Sequence, residues 1–223
     1  MALQNTKNSI ALMLEDAGEK YLSGSEIARQ LGITRSAVWK GIEQLREDGY
    51  RIEAVRNMGY RLESENDVLN ADCIMRHLAD MKDLFSLDVY QSVSSTNDIL
   101  KNHALSMNSW HTVVSDSQTA GKGRRSRSFY SPNGSGLYLS MLIKIPLEAQ
   151  ESLHITTAAA VAACRAIEKC TSAIPKIKWV NDIYISGRKA AGILTEASVS
   201  MDASGTLTLN PSINQGKAAE KYV

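Results

Sequence analysis

Residues 23–50, SGSEIARQLGITRSAVWKGIEQLREDGY, decide the fold of the first part of the chain. Apolar side chains recur at helical spacing on both sides of Gly32, which indicates two short amphipathic helices separated by a tight turn. Ser25 is predicted to cap the first helix and Thr34 the second, because a short hydroxyl side chain can accept a hydrogen bond from a backbone amide. Two short helices joined by a glycine-containing turn of about four residues are typical of a helix-turn-helix.

The residues on either side of this pair of helices extend the pattern. Upstream, residues 8–17 (NSIALMLEDA) place apolar side chains at helical spacing, and Gly18 follows as a stop signal. Downstream, residues 51–63 (RIEAVRNMGYRLE) indicate two short strands around the turn Asn57-Met58-Gly59. The sequence therefore predicts a winged helix-turn-helix domain over residues 1–64.

The exposed side of the second predicted helix is a candidate DNA-binding surface. Arg35 and Ser36 would lie nearest the base edges of a major groove, with Lys40 near a phosphate. Residues 1–64 hold nine basic and nine acidic side chains, so a monomer should bind operator DNA weakly, and a homodimer is favoured. The alternative is that this domain serves only as a docking module. The predicted DNA-binding residues are Ser25, Thr34, Arg35, Ser36, Trp39 and Lys40.

A second domain is predicted over residues 70–223, after a polar linker at residues 65–70 (ENDVLN). Most of its predicted strands follow one another without intervening helices, so the sheet should be mixed and largely antiparallel, in an α+β layout. Helices are predicted at residues 96–104 and 151–169. Strands are predicted at residues 86–91, 112–117, 136–145, 176–179, 182–186, 190–198 and 206–209.

Composition excludes several other classes of protein. The 223 residues carry a formal net charge of +1, so any binding of nucleic acid must come from local clustering of basic residues. The longest apolar run, residues 155–164, is shorter than the roughly 20 residues that a membrane-spanning helix needs. The first ten residues lack the apolar segment of a signal peptide, so we expect a cytoplasmic protein without membrane association. The three cysteines are expected to be free thiols that pack as small hydrophobic residues.

The segment QTAGKGRRSR, residues 118–127, is the strongest chemical feature of the second domain. Gly121 and Gly123 allow the backbone to approach a ligand closely, since neither carries a Cβ atom. Arg124, Arg125 and Arg127 can each pair with phosphate or carboxylate oxygens through a planar guanidinium. The spacing matches neither a P-loop nor a GxGxxG dinucleotide loop. Taken alone, the segment could equally be an exposed basic loop that touches DNA or forms surface ion pairs.

A second cluster favours a catalytic role. Lys178, Asn181 and Asp182 lie at one strand junction, and Lys189 follows the predicted turn Ser186-Gly187. Asp182 could hold Mg²⁺, orient a lysine or only cap a turn, and Lys189 alone could be a solvated charge. Combined with the basic loop, these residues fit a site that brings a carboxylate to the α-phosphate of a nucleoside triphosphate. Such a reaction needs positioning and electrostatic stabilisation but no protein nucleophile.

At this point the sequence resembles the biotin protein ligases, in five ordered motifs. With the winged helix in front, it is similar to the bifunctional type, which is both a biotin–[acetyl-CoA-carboxylase] ligase and a DNA-binding repressor of biotin genes. The resemblance implies that biotin and MgATP give biotinyl-5′-AMP, and that the biotinyl group then passes to a lysine of a biotin carboxyl carrier protein domain. The motifs are SSTN (94–97), GKGRRSR (121–127), SPNGSGLYLS (131–140), KWVNDI (178–183) and GRKAAGILTE (187–196).

The resemblance also implies roles for individual residues. Lys189, Arg124 and Lys122 are the implied catalytic residues, with Lys189 holding the biotin carboxylate and the α-phosphate. The SSTN motif is implied to receive the ureido and ring end of biotin, and Phe129 to lie near the adenine. The implied biotin-binding residues are Ser95, Thr96, Asn97, Gln118, Lys122, Gly123, Arg124 and Lys189. The implied adenylate- and ATP-binding residues are Gly121, Arg125, Arg127, Phe129, Lys178, Asn181 and Asp182.

The end of the chain departs from the family pattern. Asn210 and Ser212 occupy two positions where the family has glycine, and Pro211 lies between them, so no regular core strand is expected across residues 207–214. Because the sequence stops at Val223, the catalytic domain is expected to be truncated and the family's small C-terminal β-barrel domain to be absent. Three hypotheses follow: an active ligase and repressor, a biotin-responsive regulator with a crippled ligase domain, or a shortened product that folds poorly.

Overall fold

The computed structural model describes residues 2–63, 68–146, 152–200 and 206–216, which divide into two compact units, Met1–His77 and Leu78–Val223. In the first unit, three helices and a hairpin follow in the predicted order, so the winged helix-turn-helix is confirmed. A short fourth helix ends the unit. The elements are α1 (Ala2–Ala17), α2 (Gly24–Leu31), α3 (Arg35–Glu47), β1 (Ile52–Val55), β2 (Gly59–Leu62) and α4 (Ala71–Arg76).

The helix caps agree with the sequence at α3 but not at α2. Thr34 caps α3, and its hydroxyl accepts a hydrogen bond from the amide of Ala37 at 3.2 Å. The cap of α2 is Ser23, whereas Ser25 was predicted. Ser23 has an extended backbone that lets its hydroxyl accept from the amide of Glu26 at 3.1 Å, so the helix begins two residues earlier than expected and Ser25 lies inside it.

The hairpin is fastened to the segment before α2. Leu22 and Tyr60 exchange two backbone hydrogen bonds, both 2.9 Å long. This close approach explains Gly59, which has a φ of 112° and whose hypothetical Cβ would lie 2.1 Å from the Leu22 carbonyl oxygen. Only glycine fits there. The core beneath the hairpin consists of buried side chains that include Ile10, Leu14, Ile27, Val38, Ile42, Leu45, Tyr50 and Ile52.

Helix α4 belongs with the first unit, so the two units divide after His77, whereas the sequence predicted that the second domain begins at residue 70. Arg76 makes ion pairs with Glu15 at 2.9 Å and Asp16 at 2.6 Å, both near the end of α1. The side-chain amide of Asn70 donates to the Tyr50 hydroxyl at 2.9 Å. Of the predicted linker, residues 65–67 lie outside the described residues.

The second unit is built on one eight-stranded sheet. The strands are β3 (Ser86–Tyr90), β4 (His111–Ser115), β5 (Gly136–Met141), β6 (Ile143–Pro146), β7 (Pro175–Lys178), β8 (Asp182–Ile185), β9 (Arg188–Ser200) and β10 (Thr206–Gly216). Their order in the sheet is β3-β4-β5-β10-β9-β8-β7, with β6 also paired to β10. Among these strands, β3 and β4 pair in parallel and the other pairs are antiparallel, which confirms the predicted mixed, largely antiparallel sheet. The helices are α5 (Thr96–His103) and α6 (Ser152–Cys170), with short 3-10 turns at Ala79–Leu84 and Arg124–Ser126.

The expectation that residues 207–214 form no regular core strand was wrong. Strand β10 lies inside the sheet, and its register with β9 continues through Pro211, which lies opposite Thr195. On its other side, β10 pairs with β6 up to Leu209 and with β5 from Ser212 onward. Pro211 therefore lies where the partner on that side changes from one strand to the next, so the missing amide donor is tolerated there.

Two helices pack on this sheet. Small residues of α6, among them Ala160, Ala163 and Cys164, are buried against Ile183 and Ile193. Leu100 of α5 packs against β4 and the residue after β5. Cys73 and Cys164 are buried as predicted, whereas Cys170 is exposed because it lies at the end of α6. Within the described ranges, the helices lack the combination of length and apolar content that a membrane span requires.

Candidate functional site

A buried polar cluster joins the start of α5 to the segment after β4. The side-chain oxygen of Gln118 accepts hydrogen bonds from the amide and hydroxyl of Thr96, at 3.0 and 3.2 Å. The Gln118 amide nitrogen donates to Ser131 Oγ at 3.0 Å. Because the Thr96 hydroxyl donates its one hydrogen to Gln118, Ser140 Oγ at 2.7 Å is the donor to Thr96. These bonds fix the orientation of the Gln118 amide, with its oxygen toward α5.

The basic loop, defined as residues 118–131, closes on itself as an irregular hairpin. Its base is the bond from the Gln118 amide to the Ser131 carbonyl oxygen at 2.9 Å, and the Phe129 amide donates to Gly121 at 2.8 Å. Further out, the Gly123 amide donates to Arg127 at 2.7 Å. A Cβ at Gly121 would lie 2.5 Å from the Phe129 carbonyl oxygen and 2.6 Å from Ser131 Oγ. The narrow base of the loop therefore requires glycine at this position.

The tip of the basic loop presents its cations to solvent. Arg124, Arg125 and Arg127 are exposed, and the chain turns sharply between them. Arg125 and Ser126 make this turn with φ angles of 57° and 59°, in the left-handed region that residues other than glycine seldom adopt. Two successive left-handed residues direct the arginines outward from the closed base.

Two side chains of the basic loop contact the elements on either side of it. The Lys122 ammonium forms an ion pair with Asp98 of α5, and this hydrogen bond raises the pKa of Lys122. Arg124 donates to Asn181 Oδ1 at 2.9 Å. The loop thus connects the start of α5 to the junction between β7 and β8.

The same junction holds the predicted catalytic lysine. Lys189 Nζ lies 2.8 Å from Asp182 Oδ1, so this carboxylate orients the lysine. Gly192 leaves the space the lysine occupies, because a Cβ there would lie 3.2 Å from Lys189 Cε. Asn181 is held by β9, with its side-chain nitrogen donating to the Ile193 carbonyl oxygen at 3.1 Å and its own carbonyl accepting from the Ile193 amide at 2.8 Å.

Asn97 contributes a buried amide to the site. Its side-chain nitrogen donates to Glu196 Oε2 of β9 at 2.9 Å, and the residue is 2% exposed. Its Oδ1 atom is buried and accepts no hydrogen bond from any residue in the described part of the chain. A buried acceptor without a donor is unfavourable, which makes this atom a candidate ligand contact.

The structure brings most of the predicted site residues together, but not all of them. Ser95, Thr96, Asn97 and Gln118 form the buried side of the site, and the basic loop connects them to Asn181, Asp182 and Lys189. Lys178 lies opposite Asp182 in the pairing of β7 with β8, and its ammonium is 5.1 Å from the centre of the Tyr184 ring. Arg125 and Arg127 instead face solvent at the loop tip. Phe129 is half-buried, and its backbone closes the base of the loop.

Four residues of the cluster were missed by the sequence reasoning. Ser140 of β5 is a polar residue within the apolar run LYLSMLIKI, residues 137–145, a signal that could have marked it as facing a buried polar partner. Ser131 and Glu196 lie at the ends of two recognised motifs, and Asp98 directly follows a third, but no pattern in the sequence indicated their partners. The four are Asp98, Ser131, Ser140 and Glu196.

The first unit presents a separate candidate DNA interface. Arg35, Ser36 and Lys40 are exposed on α3, and Trp39 is 56% exposed, opposite a buried face of apolar residues. Thr34 also lies at this end, where its hydroxyl is 2.9 Å from that of Ser36. The predicted DNA-binding side chains on α3 therefore share one accessible face.

The hairpin beside this face is braced by a charged side-chain cluster. Glu53 accepts hydrogen bonds of 2.6 Å from both the Tyr21 hydroxyl and Arg61. These two bonds lower the pKa of Glu53. The Arg61 guanidinium also lies 4.7 Å from the centre of the Tyr21 ring. The hairpin is therefore held through side chains as well as through the backbone bonds to Leu22.

The chain matches two known families. The profile of the biotin/lipoate A/B protein ligase family matches residues 89–208, and an HTH domain profile matches residues 6–61. The bifunctional ligase/repressor BirA of Bacillus spizizenii is 36% identical over 221 residues, which cover 94% of this chain and 65% of that protein. The Escherichia coli protein of the same name is 30% identical over 198 residues, which cover 89% of this chain and 60% of that protein.

The chain spans just under two thirds of the length of these curated relatives. Among solved structures, the biotin protein ligase from Aquifex aeolicus in complex with biotin and ATP is 29% identical. The match has a TM-score of 0.44 and covers 57% of this chain and 51% of the Aquifex aeolicus chain.

Proposed function

Because this chain belongs to the biotin/lipoate A/B protein ligase family, we propose that it is an ATP-dependent biotin–protein ligase that also represses transcription of biotin genes. Three cations carry the proposal: Lys122, Arg124 and Lys189 gather beside the buried polar cluster around Gln118. Two anionic substrates can meet only where positive charge offsets their repulsion.

In the first proposed step, a carboxylate oxygen of biotin attacks the α-phosphorus of MgATP, and pyrophosphate leaves. Lys189, oriented by Asp182, would contact both the carboxylate and the α-phosphate, because an ammonium group carries three donors and can bridge two anionic groups. Lys122 and Arg124 would stabilise the charge that builds up in the transition state. Mg²⁺ enters with the nucleotide as part of the substrate.

In the second proposed step, the uncharged amine of an acceptor lysine attacks the carbonyl carbon of biotinyl-5′-AMP. An amide bond forms, the bond from that carbon to the phosphate oxygen breaks so that AMP leaves, and the amine gives up a proton to solvent. The acceptor would be a biotin carboxyl carrier protein domain. The ring end of biotin would lie among Ser95, Thr96 and Asn97, where polar groups are shielded from water, and Gln118 would contact biotin nearer its carboxyl end. The adenylate would lie along the basic loop and at the β7–β8 junction, near Gly121, Gly123, Arg125, Arg127, Phe129, Lys178, Asn181 and Asp182.

Biotin-dependent exchange of pyrophosphate into ATP tests the first step directly. Exchange that requires biotin and is lost in Lys189→Ala is the expected result. A folded chain that binds biotin but supports no exchange would contradict the ligase function. That outcome would favour the alternative, a biotin-responsive DNA-binding regulator with a crippled ligase domain.

The exposed face of α3 supports the second activity, binding to operator DNA. The near-neutral charge of the domain favours binding as a homodimer, since one copy supplies few phosphate contacts. Retention of operator DNA that rises with biotin and ATP, together with a dimer detected by sedimentation, is the expected result. Equal binding to unrelated DNA would contradict a repressor role. A cytoplasmic location accompanies this proposal.

A further inference from the structure

We propose that Glu196 is a positioning residue that fixes the side-chain amide of Asn97, so that the carbonyl oxygen of this amide faces the ligand. The two side chains lie 99 positions apart in the sequence and meet at the start of α5. The proposal rests on the proposed function, because it takes the ligand to be biotin.

The chemistry of the pair determines the orientation of the amide. An ionised carboxylate can only accept hydrogen bonds, so it selects the nitrogen of the Asn97 amide and not the oxygen. The observed bond, from Asn97 Nδ2 to Glu196 Oε2 at 2.9 Å, is of this kind. The oxygen of the same amide must then point away from Glu196.

The atom left over by this arrangement is the buried Oδ1 of Asn97. It accepts no hydrogen bond from any residue within the described ranges, although the side chain is almost completely buried. Burying such an acceptor is unfavourable unless a donor arrives. The ureido ring of biotin carries two N–H donors, and one of them can satisfy this oxygen.

The neighbouring charges place Glu196 at the edge of the same cluster. Lys122 of the basic loop pairs with Asp98, and Glu196 is close enough to contribute to the raised pKa of Lys122. Glu196 therefore lies near the loop as well as bonded to the buried amide, and in this proposal it acts on the ligand through Asn97.

A double-mutant cycle measures whether Glu196 acts through Asn97. Glu196→Gln keeps the shape but can donate as well as accept, so the Asn97 amide is no longer held in one orientation. We expect this variant to bind biotin about tenfold more weakly by calorimetry, the equivalent of one hydrogen bond. In the Asn97→Ala background, Glu196→Gln should change biotin affinity less than about twofold, because the group it positions is gone.

Controls separate this effect from a loss of structure. Glu168→Gln on the exposed side of α6 makes the same chemical change elsewhere and should leave biotin affinity unchanged. ATP affinity and the melting temperature of Glu196→Gln should match those of the unmodified protein. If Glu196→Gln melts early, Glu196→Met takes its place in the cycle, since it retains the volume without an acceptor.

Two results would overturn the inference: unchanged biotin affinity in Glu196→Gln, or an equal loss in both backgrounds. No biotin binding by the unmodified chain would overturn the proposed function, and this inference with it. The two failures are therefore distinguishable.

Discussion

Arg124 of the basic loop donates a hydrogen bond to Asn181, 57 residues later in the sequence, at 2.9 Å. The contact connects the two basic motifs that the sequence analysis combined on chemical grounds alone. Asn181 is itself held by two hydrogen bonds to Ile193, so Arg124 binds to a fixed point of the sheet. Lys189 pairs with Asp182, the residue that directly follows Asn181. The cations of the two motifs thereby share one site.

Replacing Lys189 by alanine should reduce the rate of biotin-dependent pyrophosphate exchange by at least about 10²–10³-fold. The substitution removes the cation proposed to contact both reacting groups and leaves Asp182 without its ion pair. Lys169→Ala is the matched control, because Lys169 is an exposed lysine in the last turn of α6 and is not among the predicted site residues. Exchange at the normal rate in Lys189→Ala would remove this lysine from the mechanism.

Gly121→Ala should lower the free energy of unfolding of the second unit by about 1–3 kcal/mol. The new Cβ would meet the Phe129 carbonyl oxygen at 2.5 Å, so the base of the basic loop must open. At Gly123 the nearest atom to a Cβ lies 3.4 Å away, so Gly123→Ala should cost less than about 0.5 kcal/mol. Urea unfolding of both variants provides the comparison, and equal losses would show that the base is not tightly packed.

Arg35→Ala should weaken binding to operator DNA by about 1–3 kcal/mol if the guanidinium reads a base edge. The effect should be smaller on unrelated DNA, because a base contact contributes only at the correct sequence. Lys20→Ala removes a positive charge from the same unit outside α3 and serves as the control. Fluorescence anisotropy at fixed salt measures both, and unchanged operator affinity in Arg35→Ala would exclude Arg35 from the interface.

The three cysteines should differ sharply in reactivity toward iodoacetamide. Burial raises the pKa of Cys73 to about 12, so at pH 8 only roughly one thiol in 10⁴ is in the reactive thiolate form. Burial also raises the pKa of Cys164, whereas Cys170 is exposed.

Mass spectrometry at pH 8 should therefore show Cys170 modified first, and the other two only after denaturant is added. The rate at the buried thiols should rise with pH, because the thiolate fraction grows as the pH approaches a raised pKa. Rapid modification of all three cysteines in buffer would support the hypothesis that the chain folds poorly. A cooperative thermal transition would count against that hypothesis.

Local patterns predicted the elements better than they predicted the contacts between them. Thr34 was identified as a cap because its partner amide lies three residues away, and the strand of Ser140 was predicted from a run of residues that favour strands. The pairing of Asn97 with Glu196 was not predictable, because the two residues meet only after β9 is in place. Ser25 was predicted as the cap of α2, but the extended backbone at Ser23 gives that role to Ser23, which the local pattern did not indicate.

Pro211 shows a different limit of sequence reasoning. A proline in a core strand is normally unfavourable, and the residue alone gave no sign that the neighbouring strand would be interrupted opposite it. The break between β5 and β6 at Leu142 occurs in a segment that reads as one continuous strand, residues 136–145. Strand breaks of this kind depend on the register of three strands, which is a property of the assembled sheet.

The closed base of the basic loop has a consequence for how long a bound intermediate stays. Ordering a chain segment costs about 1–2 kcal/mol per residue in backbone entropy. Because three backbone hydrogen bonds already close residues 118–131 toward the tip, a ligand has to fix only the few residues around Arg125 and Ser126. Capture of a ligand would therefore carry a small entropic penalty, and more of the contact energy would remain to slow the escape of the proposed adenylate into water.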